Sequence, residues 1–214
     1  MKGSVTGNYR VTFKKKGKML DARIYCGKML DPVDDYNGNH FLYASGAHGT
    51  HDYLFDNVFL GRSEPSGFLS HQFAETEGGM KVYTFLGRSN DWLSSLNLKC
   101  SLPGKIPFKL FTDFSTFAAD GRRPIYPGNP DLPNRMLCDA GIYIPLIKDY
   151  IEVYCPILVS KDIKSLFYLN NPDLKAPTSD QNDPDKFKRM LRMIRFTFNI
   201  HKLNPFERVR NISI

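Results

Sequence analysis

Apolar and polar residues alternate with a period of two along most of this chain, which is the spacing of a pleated strand whose two faces meet different surroundings. From Trp92 to Cys100, Trp92, Leu96 and Leu98 fall on one side and Ser95, Asn97 and Lys99 on the other. From Ile106 to Phe117, Ile106, Phe108, Leu110 and Phe114 oppose Lys109, Asp113 and Ser115. Alternation and turn residues together predict strands near 5–14, 18–27, 39–46, 52–60, 66–74, 79–87, 91–101, 105–117, 137–145, 149–158 and 193–202. The first two form a hairpin, in which Tyr9, Val11 and Phe13 lead into Lys16-Gly17-Lys18 and Leu20, Ala22 and Ile24 return. The last carries Ile194, Phe196, Phe198 and Ile200 against Arg195, Thr197, Asn199 and His201. One stretch breaks the pattern: Asp183-Pro184 can open a helix in which Phe187, Met190, Leu191 and Ile194 share a face.

Many strands with one apolar face each, and few helices to cover them, leave three architectures: a sandwich, a closed soluble barrel, or a barrel whose apolar side meets lipid. The expected fold is all-β, an antiparallel up-and-down β-barrel of about 10–12 strands of outer-membrane type. Its 214 residues make one domain, 1–214, with tight turns and two long loops, at 119–135 and 170–186, both rich in Pro, Asp, Asn and Gly.

Composition adds detail to this picture. The chain holds 16 Phe and 11 Tyr beside a single Trp, an aromatic excess that suits strands and the belts of membrane barrels alike. The formal charge of +7 is scattered, with no basic stripe interleaved with stacking aromatics, so nucleic acid is not an expected partner. Cys26, Cys100, Cys138 and Cys155 show no CxxC spacing; they read as small apolar side chains, with one disulfide left open. The N-terminal stretch has no apolar signal region, and an outer-membrane location requires a signal upstream in a longer precursor.

Few residues offer chemistry. His48, His51 and Asp52 lie within five residues and could hold a metal with His71 or His201, but the spacing is loose and Gly49 argues for a polar turn. Asp34 and Asp35 could supply calcium ligands and read better as a solvated turn. No HExxH, GxSxG, GxGxxG or P-loop motif is present, so no catalytic residue and no cofactor is assigned.

The phrases YLFDNVFLGRSE, GRSNDWLSSLNL and KLNPF, in collinear order, resemble the C-terminal region of a Bacteroidetes family whose N-terminal part is similar to gluzincin zinc aminopeptidases. The resemblance runs from about Tyr9 to Ile212 and implies an outer-membrane barrel that anchors an upstream peptidase-like domain. The peptidase motif itself lies outside this chain. On that reading Trp92, Leu96, Leu98, Ile106, Phe108, Leu110, Ile151, Val153, Phe196 and Phe198 face lipid. Arg10, Arg23, Lys81, Lys99, Asp113, Glu152 and Arg195 face the lumen. The expected function is a non-catalytic anchor or small pore with the lipid bilayer as partner. Two alternatives stand beside it: a soluble β-barrel that binds a ligand or partner, and a fragment counted as a metallopeptidase by descent.

Overall fold

A computed structural model describes residues 1–13, 18–30, 41–49, 52, 55–64, 66–102, 106–118, 136–147, 150–175 and 184–199. Its frame is one antiparallel sheet of seven strands, curled into a half-barrel. The strands are β1 (Lys2–Thr12), β2 (Met19–Met29), β5 (Trp92–Ser101), β6 (Lys109–Phe117), β7 (Met136–Ile147), β8 (Ile151–Val159) and β9 (Arg195–Phe198), in the order β1-β2-β5-β6-β7-β8-β9. Two short strands, β3 (Leu42–Tyr43) and β4 (Arg88–Ser89), pair apart from it. Helix α1 (Lys161–Asn170) follows β8, and α2 (Lys186–Arg192) precedes β9.

Neighbours in sequence are neighbours in the sheet except at one place, where the chain leaves β2, runs through residues 41–91 and returns as β5 beside β2. That excursion folds over one face of the sheet, here called the covered face; the other is the open face. It is held by backbone pairing within itself, such as Gly46 N–H to the Met80 carbonyl and Ala74 N–H to that of Ala47. Side chains reaching up from the strands complete its attachment.

One end of the covered face is apolar. Leu93 pairs with Phe117 in register and Leu137 lies on the next strand, and the three pack with Met29 at the end of β2, with Val82 and Leu86 of the excursion and with Ile163 and Leu166 of α1. Further along the strands Phe73 packs with Phe111, Tyr143 and Tyr154, with Tyr143 and Tyr154 stacked at 5.2 Å. Between these clusters the register forms a polar row, Asn8, Arg23, Asn97, Asp113 and Asp139, one residue from each of five adjacent strands.

The register shifts between Ala140 and Gly141 at a bulge in the β7–β8 pair. A Cβ at Gly141 would lie 2.1 Å from the Cys155 carbonyl oxygen, so only glycine lets the two strands stay paired there.

The structure corrects several sequence expectations. Residues 66–74 form a 3-10 turn (Leu69–His71) and isolated bridges, and the described parts of 52–60 and 79–87 are irregular. Their alternation is real, but it serves single side chains packed beneath the sheet or left in water. The predicted strand at 39–46 contracts to Leu42–Tyr43, so the described residues hold nine strands, seven in the curled sheet, and the sheet order does not close. Helix α1 was absent from the expected elements, although Ile163, Leu166 and Phe167 stand at helical spacing after Ser160. The helix expected to open at Asp183-Pro184 forms as α2, which begins at Lys186 with Asp185 at its N-cap and ends at Arg192, so Ile194, expected on its apolar face, lies beyond it. The loop at 119–135 lies outside the described residues, as do Asp34, Asp35, His51 and His201.

Lys81 and Asp113 are wholly buried, with 3.1 Å between Nζ and Oδ1. Removing one partner of such a pair strands a charge, so Lys81→Met is expected to cost about 3–5 kcal/mol. A double variant Lys81→Met/Asp113→Asn is expected to recover part of that loss, read as the midpoint of urea unfolding.

Candidate functional site: a polar row behind an apolar face

The open face is apolar from strand to strand. In register it presents Val5 and Tyr9 (β1), Leu20 and Ile24 (β2), Leu96 and Leu98 (β5), Leu110 and Phe114 (β6), Ile142 and Ile144 (β7), and Ile151 and Val153 (β8). Several are strongly exposed, Val5 at 75% and Ile24 at 53% among them. The four cysteines belong to the same face and are free thiols. An apolar surface spanning six strands far exceeds the scattered exposed hydrophobes of an ordinary soluble domain.

Charge is concentrated on the covered face. Asp113 accepts hydrogen bonds from the Lys81 ammonium (3.1 Å), the Lys81 backbone N–H (3.1 Å) and the Asn97 amide (3.0 Å). Asp139, in register beside it, accepts from the Val82 N–H at 2.8 Å. The excursion is therefore suspended at residues 81–82 from two aspartate side chains on neighbouring strands, of which burial and Asp113 hold Asp139 well above its ordinary value. Asn97 also donates to the Gly78 carbonyl (2.9 Å) and accepts from Arg23 (2.8 Å), whose other nitrogen donates to the Glu77 carbonyl (2.6 Å). Gly79 passes this point at φ +63°, where a Cβ would lie 2.9 Å from the Arg23 guanidinium.

A second cluster adjoins the first. Glu75 accepts from Lys81 and from Lys99, each at 3.0 Å, and Lys99 continues to Glu152 at 3.2 Å. Tyr154 donates to the same Glu152 carboxylate. Burial pushes the Glu75 carboxyl up, but the two ammonium groups outweigh it and hold it well below its ordinary 4.5. Arg10 and Asp21 pair at 2.6 Å on the rim of the adjoining polar cleft, about 320 Å³.

Beyond the excursion, a cavity of about 930 Å³ lies between residues 48–85, α1, Arg192 and β9. His48 packs on Tyr83 at 3.9 Å between ring centres. Asp52 accepts from the Arg62 guanidinium (2.8 Å) and from the Asn57 N–H (3.1 Å), so its carboxylate is engaged in a loop-closing pair. The described residues contain no group of three or more His, Cys, Asp or Glu side chains arranged to hold a metal ion. The His71 ring and Arg195 meet at the cavity wall, 2.7 Å apart. Burial and then Arg195, against the Ile194 carbonyl, hold the His71 imidazole below its ordinary value.

The seven residues expected to face a lumen, Arg10, Arg23, Lys81, Lys99, Asp113, Glu152 and Arg195, are all on the covered face or on the excursion against it. Of those expected to face lipid, Trp92, Leu96, Leu98, Leu110, Ile151, Val153 and Phe198 belong by register to the open face. Phe196 shares it but is buried, stacked on Phe68 at 4.8 Å. Ile106 and Phe108 are exposed just before β6 begins. Asp139, Glu75 and Tyr154 escaped sequence reasoning, and Asn97 was placed on the polar face without being named a site residue; for Asp139 the signal was its place between Leu137-Cys138 and Ala140-Gly141-Ile142. Compared with family models, curated proteins and solved structures, the chain matches none.

Because Glu75 is depressed in the folded state, the unfolded chain binds more protons in the acidic range, and stability rises with pH there. Its contribution is complete above about pH 4.5 and is lost as pH falls below that toward the depressed value. Glu75→Gln is expected to flatten stability against pH below 4.5, measured by urea unfolding at a series of pH values.

Proposed function

We propose that this chain forms the wall of an outer-membrane-type antiparallel β-barrel and acts as a non-catalytic membrane anchor, the C-terminal region of a larger aminopeptidase-like protein. The observation that carries this reading is the inversion of the sheet. The open face is apolar across β1 to β8, and charged side chains are gathered and ion-paired on the opposite face. In water that arrangement is unfavourable, since burying apolar surface is worth about 25 cal/mol per Å². Against lipid it is the arrangement a strand wall needs, with polar groups paired inside.

Strand length agrees. The six long strands hold 9 to 12 residues, against about 9–11 needed to cross a bilayer when tilted. Membrane strands need every backbone group paired, so a barrel of about 10–12 strands closes with further strands beyond the seven of the curled sheet. The upstream peptidase-like part, implied by the YLFDNVFLGRSE, GRSNDWLSSLNL and KLNPF phrases, is a source for them. The excursion and the charge clusters would then fill the lumen, leaving the polar cleft beside Arg10 and Glu152 as the path for a small solute.

A soluble ligand-binding β domain is the second reading, favoured by the 930 Å³ cavity. Expression behind an outer-membrane signal separates the two. The anchor reading expects recovery in the detergent-soluble membrane fraction and faster gel migration unheated than boiled; a monodisperse protein without detergent contradicts it. Leu96→Arg, at mid-strand on the open face, is expected to cost about 2–4 kcal/mol in lipid. The same change on a water-facing surface would stay within about 0.5 kcal/mol. Unfolding in lipid vesicles measures the difference.

A further inference from the structure

We infer that the cavity between the excursion, α1 and β9 binds a small organic monoanion, a carboxylate on an apolar or aromatic body, with Arg195 as its counter-charge. Arg195 lines this cavity and is only 8% exposed. Its partners do not neutralise it. Nη1 donates to the carbonyls of Arg192 (3.0 Å) and Ile194 (2.8 Å) and approaches His71 Nδ1 at 2.7 Å. That same Nδ1 lies 2.7 Å from the Ile194 carbonyl oxygen. One ring nitrogen cannot accept from Arg195 and donate to Ile194 together, so either tautomer leaves one of these contacts unmet. Nε is buried with no acceptor, and Nη2 has no hydrogen-bond partner among the described residues.

A buried cation with no carboxylate partner among the described residues carries a desolvation cost that an incoming anion would offset. The other arginines of the cavity wall are already matched, Arg62 by Asp52 at 2.8 Å and Arg192 by Asp173 at 2.5 Å. His71, held below its ordinary value, is neutral at pH 7 and adds no second charge. Glu64, exposed beside Gly61 and Gly67, is the acid on the same wall. Glu64 forms no ion pair with Arg195, so the buried guanidinium is the charge that a single carboxylate would match. The ligand's body is set by Phe59, Tyr83, Phe85, Leu166 and Phe167, whose rings and side chains line the same space. About 930 Å³ is within the ~300–1,000 Å³ of small-molecule sites. This inference is independent of the membrane reading.

The test is calorimetric titration and thermal unfolding of the full chain with benzoate, with the neutral isostere benzamide, and with inorganic phosphate. Benzoate is expected to bind at least tenfold more tightly than benzamide and than phosphate, and to raise the melting temperature where benzamide does not. Arg195→Gln is expected to abolish the preference for benzoate. Equal binding of benzoate and benzamide, binding of neither, phosphate binding as tightly as benzoate, or an intact preference in Arg195→Gln overturns the inference. Should Arg195→Gln fail to fold, the comparison of the three probes on the unaltered chain decides alone.

Discussion

The suspension of Lys81 and Val82 from Asp113 and Asp139 is the interaction on which the rest of the architecture depends. Two carboxylates on adjacent strands would repel each other beneath a covering segment. They are tolerated because burial and the neighbouring Asp113 hold the Asp139 carboxyl well above its ordinary value, so that the two do not both carry charge, and because two backbone N–H groups, the Lys81 ammonium and the Asn97 amide point at them. Burial strengthens each of these hydrogen bonds, and Asp139 Oδ1 is the one carboxyl oxygen of the pair left without a partner among the described residues. The suspension fixes the excursion's depth, and with it the apolar end that Leu86, Val82 and α1 build on one side and the Glu75–Lys99–Glu152 cluster on the other.

That constraint also explains the sheet's two faces. A sheet that places a charged row against its own covering chain has spent its polar residues there. What remains for the opposite face is mostly Leu, Ile, Val, Phe and small residues, and from β1 to β8 these are exposed or half-buried. Either a solvent that welcomes apolar groups meets that face or another protein surface does. Continuity of that face across six strands, and strands of 9 to 12 residues, support the membrane proposal. The lined cavity belongs to a different level of organisation, on the covered side, where α1 and β9 enclose the space that the excursion leaves unfilled.

The long strands were legible because both of their faces are specified: Leu96 and Leu98 cannot exchange places with Asn97 and Lys99 without breaking the polar row on one face and setting a charge in the apolar surface of the other. The same signal misled at 79–87, where Lys81 alternates with Met80 and Val82 but meets Asp113 and Glu75 from a crossing loop. Periodicity reports which residues are buried, not what buries them. Helix α1 was hidden because its apolar positions, Ile163, Leu166 and Phe167, follow directly on a hydrophobic strand. The charged residues of the covered face were legible singly, through their alternation; their assembly into a row was not, because register depends on pairings between strands far apart in sequence, such as Arg23 with Asn97.

The most direct test of the inverted sheet is spin-label accessibility along β5, one label at a time from position 93 to 100 in a cysteine-free background, in lipid vesicles. The account predicts a period of two: labels at Ser94, Leu96, Leu98 and Cys100 relaxed by oxygen dissolved in lipid and shielded from an aqueous nickel complex, and labels at Leu93, Ser95, Asn97 and Lys99 shielded from oxygen. Accessibility of the even positions to the nickel complex would place that face in water and contradict it.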